Sequence, residues 1–193
     1  RFKKGETIAK QGAFVTHILY LKKGLVKIYN EIDYKNNLIL DIHKSGKLLG
    51  LSALYASNVF RYSIAALEDS FICAIDKEVI ERLVHNNGEF AANLLTSVNN
   101  DLQNMRDKLV SLSMKQLNGR LADALLYLAE DVYKSDSFPL SLTRKDLAEF
   151  SGMSTMSVVR TMQDFKKEGL IENSNHSLKI IDKPELKSLS ING

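Results

Sequence analysis

A chain of 193 residues, 45% hydrophobic and 25% charged, is long enough for one domain with a substantial core or for two small ones. Its apolar stretches are short and broken by charge, and none approaches the roughly 20 residues that a membrane span requires; a cytoplasmic protein without membrane attachment is expected. The formal net charge is +3, yet residues 117 to 193 carry ten Lys/Arg against eleven Asp/Glu, so charge alone selects no anionic partner.

The sequence opens on Arg1 rather than methionine and shows no basic-then-apolar leader, which points to a chain shortened at its N terminus rather than one entering a secretory route. From Phe2 to about Lys77 it reads as short strands, at Thr7 to Ala9, Ile18 to Leu21, Leu25 to Tyr29, Leu38 to Ile42, Tyr62 to Ala66 and Phe71 to Ile75. Glycines and the polar turn Tyr34-Lys35-Asn36-Asn37 punctuate them at the spacing of an antiparallel sandwich or roll.

Near Asn86 and Asn87 the period becomes helical. Leu95, Val98, Leu102, Met105, Leu109 and Leu112 follow at alternating steps of three and four, a seam of a/d type. Asn87 is a candidate N-cap, with Glu89 in the first turn where the helix dipole favours an anion. In a parallel pair Asp101 at g and Arg106 at the following e can meet across the interface, so the seam predicts a homodimer. The alternative is an amphipathic helix lying on its own domain. The seam stops at Gln116; Leu117, Leu121, Leu125, Leu128 and Val132 then mark a second amphipathic helix, with a hinge expected at Met114 to Asn118 because the Asn118-Gly119 pair weakens a helix. The segments 1–86, 87–116 and 117–193 are thus expected to be a sheet domain, a dimerising helix and a C-terminal domain.

Thr143 followed by Asp146 has the spacing of a capping box, with Leu147 and Phe150 on the buried side of a short helix. Gly152 supplies a turn and Ser154 caps the next helix. There Val158, Met162 and Phe165 face inward, while Thr155, Met156, Val159, Arg160 and Gln163 project from the other side. Such a pair is a candidate helix-turn-helix, whose second helix enters the major groove of double-stranded DNA; Arg can pair with guanine, Gln with adenine, and Thr or Val can touch a thymine methyl. After Lys166-Lys167-Glu168-Gly169, Leu170-Ile171, Asn173 to His176 and Leu178 to Ile181 read as a two-stranded hairpin, the wing. A helix pair with a glycine turn also fits a module that contacts protein.

The run Leu142-Thr-Arg-Lys-Asp-Leu-Ala-Glu-Phe-Ser-Gly-Met-Ser-Thr-Met-Ser-Val-Val-Arg-Thr-Met resembles the helix-turn-helix signature of the Crp/Fnr family, which contains the cyclic AMP receptor protein. Phe2-Lys-Lys-Gly-Glu, Lys10-Gln-Gly and Tyr20-Leu-Lys-Lys-Gly-Leu-Val-Lys-Ile-Tyr resemble the opening of the family's β-roll, and Gly119-Arg120-Leu-Ala its hinge-to-helix junction. The resemblance implies an α+β fold: an N-terminal double-stranded β-roll of the cyclic-nucleotide-binding, jelly-roll type, a long dimerisation helix and a C-terminal winged helix-turn-helix. It implies a homodimeric regulator of transcription that binds a near-palindromic operator and contacts RNA polymerase. Thr143, Ser154, Thr155, Met156, Val159, Arg160 and Gln163 are the expected DNA contacts. Arg160 matches the family's reading arginine; Met156 replaces its glutamate, and a thioether cannot accept a hydrogen bond from cytosine as a carboxylate does.

On the sensor side the resemblance places an effector near Gly50, Leu51, Arg61, Tyr62, Ser63, Met105 and Arg106. The family's ribose-binding Gly-Glu pair reads Gly50-Leu51 here, the phosphate-binding Arg-Ser pair reads Arg61-Tyr62, and Met105-Arg106 replaces the adenine-contacting hydroxyl pair. A cyclic nucleotide would lose a carboxylate acceptor and a hydroxyl donor, so cyclic AMP is not the expected effector. No cofactor is identified. One cysteine, Cys73, excludes an internal disulfide and leaves too few thiols for the iron–sulfur cluster of oxygen-sensing relatives; its apolar strand context predicts a buried structural thiol. His17, His43, His85 and His176 are scattered, each expected to be satisfied or solvent-facing, and no metal-ligand spacing, paired catalytic carboxylates or nucleophile motif suggests an enzyme.

Overall fold

The structure, a computed structural model, describes residues 1–33, 37–55, 57–174 and 177–193. The chain divides into two compact units, Arg1–Met105 and Arg106–Gly193.

In the N-terminal unit β1 (Thr7–Ala9), β3 (Leu25–Glu31), β4 (Asn37–Lys44) and β6 (Ser63–Ala66) form one antiparallel sheet in the order β1-β6-β3-β4. A second sheet, β5-β2-β7, joins β5 (Leu48–Leu49), β2 (His17–Lys23) and β7 (Phe71–Asp76). Alternation sends Ile18 and Leu21 of β2, Val26 and Ile28 of β3 and Ile64 of β6 into a common core that Leu49, Leu54, Phe60 and Ile80 complete. All six strands expected from alternation are present, with β6 starting at Ser63. Three elements were not anticipated: β5, the short α1 (Ser52–Tyr55), and α2 (Lys77–Asn86), which buries Ile80. Of the polar turn at residues 34–37, only Asn37 lies within the described residues.

One sequence expectation fails here. Cys73 is exposed rather than buried, because β7 is an edge strand that turns only Ile72 and Ile75 toward the core. His43 is buried beside Asp41, 3.7 Å from its carboxylate, for a bulge in β4 changes which residues face inward. Ile28 pairs with Asp41 and Tyr29 with Ile39, leaving Leu40 as the extra residue.

Helix α3 (Gly88–Met114) runs for 27 residues and contributes residues to both units. Asn87 caps it, accepting from the Phe90 amide at 3.0 Å. Only Ser111 of this helix is buried, while Leu95, Val98, Leu102, Met105 and Leu109 stand exposed along the expected seam. Asp101 does not wait for a partner helix: the Lys47 ammonium holds it at 2.7 Å within its own chain. Leu112 is half-buried over the backbone of Gly152.

In the C-terminal unit α4 (Leu117–Tyr127) follows α3 after a break at Lys115–Gln116 and widens into a π-helical turn, Leu128–Tyr133. Asn118 and Gly119 lie inside α4, not at the break. Gly119 is used for close approach instead: a Cβ there would come within 2.7 Å of the Gly193 carbonyl at the end of α7 (Lys183–Asn192), a helix the sequence reading missed. Asp123 ties the break together, accepting from Ser111 and Ser190 and pairing with Lys115 at 2.8 Å. Beyond it come α5 (Arg144–Ser151) and α6 (Thr155–Lys167), packed through Leu147, Val158, Met162 and Phe165. The wing has three strands, not two: β8 (Ser137–Pro139) pairs with β10 (Ser177–Ile180), which pairs with β9 (Ile171–Asn173). Asn175 and His176, assigned to the wing from sequence, lie outside the described residues.

Candidate nucleic-acid interface and sensor cavity

The start of α5 is fixed by a complete capping box. The Asp146 amide donates to Thr143 Oγ1 at 3.0 Å and the Thr143 amide to Asp146 Oδ2 at 2.9 Å. Gly152 ends α5 in the left-handed region at φ 63°, which costs glycine nothing, and a Cβ there would strike the Leu112 side chain at 2.4 Å. The turn therefore needs glycine for conformation and for space. Ser154 caps α6, accepting from the Ser157 amide at 3.0 Å. Arg120 braces the turn, donating to the carbonyls of Lys115 at 2.8 Å and Gly152 at 3.3 Å.

On this frame α6 presents Thr155, Met156, Val159, Arg160 and Gln163 to solvent, and Met156 is 84% exposed. Thr143 and Ser154 are exposed at the two helix starts. No carboxylate stands among these seven residues. Much of the unit's negative charge is engaged elsewhere: Asp123 at the break, Glu130 by Lys183 and Lys187, Asp136 by Lys183, and Asp146 in its cap. Lys187 above all holds the Glu130 carboxyl below its ordinary value, and a hydrogen bond to Asp136 raises the Lys183 ammonium. A near-neutral unit thus still exposes Arg160 on a helix face where the neighbouring acid, Asp164, pairs with Lys167 at 3.8 Å, which net charge could not reveal.

In the N-terminal unit a cavity of about 370 Å³ has an apolar wall, including Ile28, Leu40, Leu51, Val98, Leu102 and Met105, and a polar end made by Asp41, His43, Ser52, Tyr62 and Asp101. Its size and mixed lining suit a small molecule. Of the seven residues expected at an effector, Leu51, Tyr62 and Met105 line it, and Gly50 stands beside it, its amide donating to the Tyr62 hydroxyl at 3.2 Å. Arg61 is exposed, donating to Ser57 at 3.3 Å, and Ser63 is buried, donating to Glu31 at 2.7 Å; neither lines the cavity. Arg106 is exposed and falls in the other unit. Burial raises the Tyr62 phenol, leaving it a hydrogen-bond donor, and burial lowers the His43 imidazole against the pull of Asp41 and Asp101. Sequence reading missed Asp41, His43 and Asp101. Asp41 and His43 in an otherwise apolar strand were the available signal.

A model of the Crp-like helix-turn-helix domain matches residues 119–189, and a model of the cyclic nucleotide-binding domain matches residues 1–87. The chain belongs to the Crp/Fnr family. Electron transport regulator A of Shewanella oneidensis is 25% identical over 193 residues, covering 98% of this chain and 77% of that protein. The transcriptional activator protein Anr of Pseudomonas aeruginosa is 24% identical over 97% of this chain and 78% of its own. The structure of FixK2 from Bradyrhizobium japonicum superposes with a TM-score of 0.88 at 18% identity, covering 97% of this chain and 94% of that one, a likeness of fold. As a Crp/Fnr member this is a DNA-binding transcription regulator with a sensor domain, not an enzyme. No helix among the described residues is long and apolar enough to cross a membrane.

Proposed function

We propose that this Crp/Fnr regulator acts as a cytoplasmic homodimer whose two α6 helices enter successive major grooves, roughly 34 Å apart, on a near-palindromic operator. The observation that carries the reading is the exposed set Thr155, Met156, Val159, Arg160 and Gln163 on a helix capped at its entry. Arg160 is the base-reading cation, and Thr143 and Ser154 contact the phosphate backbone. The uncovered apolar line from Leu95 to Leu109 supports α3 as the dimer helix, with 1–86 as sensor and 117–193 as DNA-binding domain. A bound operator positions the regulator beside RNA polymerase, its partner in transcription.

The effector occupies the cavity. Val98, Leu102 and Met105 belong both to its wall and to the dimer seam, so a ligand that fits only one arrangement of paired helices shifts the population toward it. A cyclic nucleotide is disfavoured, since its phosphate would face the carboxylates of Asp41 and Asp101 with no arginine in the lining among the described residues.

The test is selection of bound duplexes from a random pool by the wild-type dimer and by Arg160→Ala. The variant is expected to lose about 1–3 kcal/mol at one base position. A uniform loss across sequences would assign Arg160 to phosphate, and binding insensitive to added salt would remove DNA as the partner.

A further inference from the structure

We propose that the cavity of the N-terminal unit binds a divalent transition-metal ion through Asp41, His43 and Asp101, an inference that rests on the effector reading of that cavity. The three side chains bring one imidazole nitrogen and two carboxylate oxygens, from β4 and α3, to within 4.8 Å of one another. Ligands at about 2.0–2.2 Å from a common ion lie about 3.3–3.8 Å apart, so the set closes by about 1 Å through side-chain rotation.

A further feature favours a cation. The His43 ring is buried and no hydrogen bond reaches it among the described residues; its Nε2 lies 3.7 Å from Asp41 Oδ2, too far for one. Both carboxylates line the polar end, and the Lys47 ammonium sits on Asp101 at 2.7 Å.

Lys47 also reaches Ser97 at 3.2 Å, and its side chain is 31% exposed. It acts as an internal competitor that swings toward water when the metal arrives. One nitrogen with two carboxylates suits zinc, cobalt, nickel or ferrous iron better than calcium or magnesium, which prefer oxygen alone. Three protein ligands leave a coordination position open toward Ser52, Tyr62 and the apolar wall, where a water or a small effector completes the shell.

The test titrates the full-chain dimer, without DNA, with Zn²⁺ against a chromophoric chelator, and with Co²⁺ by its visible absorption. One ion per chain is expected. His43→Gln and Asp101→Asn should each weaken binding by at least about 100-fold, beyond what loss of an outer-shell partner does. Lys47→Met should tighten it about 10-fold, and Zn²⁺ should raise the melting temperature of wild type but of neither ligand variant. His17→Ala, which removes an exposed His–Asp pair with Asp76, should change nothing. Absent saturable binding, or binding retained by both ligand variants with folding verified by melting, overturns the proposal. Duplex selection by the same preparations reads the regulator function separately, and organic ligands that shift the melting temperature would keep the cavity as an effector site without a metal.

Discussion

The two units deploy their chemistry in opposite directions. The C-terminal unit spends its apolar residues on holding α5 and α6 in place and turns five side chains of α6 outward, whereas the N-terminal unit gathers Asp41, His43, Tyr62 and Asp101 around an inner chamber. A face presented to a polymer must be rigid and hydrated, and its residues come from one short stretch of chain. A chamber for a small ligand must exclude water, and its residues come from strands and a helix far apart in sequence. Rigid reading and enclosed sensing therefore leave different marks on a sequence.

The largest expected effect tests whether the units stand separately. Phe165 is 1% exposed in the C-terminal core, so Phe165→Ala should destabilise that unit by about 3–5 kcal/mol. Urea unfolding followed by hydrogen exchange should then show early loss of protection in α5 and α6 with β2 and β3 unchanged; equal loss in both would make the division meaningless. Next, Leu102→Asp with Leu109→Asp puts two charges into the seam and should cost about 3 kcal/mol or more, at least about 100-fold in self-association by sedimentation. An unaltered dimer would move the interface off α3.

Removing the cap of α5 by Thr143→Ala should cost about 1 kcal/mol, seen as a lower melting temperature with operator sequence preference intact. A change of preference would give Thr143 a reading role. The smallest effect concerns Glu130, whose carboxyl is held below its ordinary value of 4.5 chiefly by Lys187. The unfolded chain takes up this proton at higher pH than the folded one, so the stabilisation is full above 4.5 and is lost as pH falls through the lower folded value. For so exposed a cluster the contribution stays within about 1 kcal/mol, and Lys187→Met should flatten that part of an acid titration of the urea midpoint.

Where structure follows local pattern, it was legible. Period-two alternation located β2, β3, β4 and β7, and the Thr143/Asp146 spacing with Gly152 located α5, its turn and α6. The outward set of α6 followed from its 3.6-residue period alone. What escaped depends on distant partners. Ser137–Pro139 is a strand only because Ser177–Lys179 pairs with it, and Leu48–Leu49 is too short to show a period. Lys77–Asn86 has under three turns, and the reading began its helix only after it. The Asn118-Gly119 pair suggested a hinge by propensity, whereas its glycine answers to α7. Leu40's bulge shifted the phase of β4 and brought Asp41 and His43 to the cavity, which no single-strand pattern encodes.

The pairing of β8 with β10 stitches side by side the strand that precedes α5 and the strand that follows β9, so the module between them stands on a closed base. A helix mounted on such a closed base cannot be tilted by tugging at either flank, because force on one strand is shared with the other. A change in how α6 meets its target is therefore expected to carry α5, α6 and the wing as one piece.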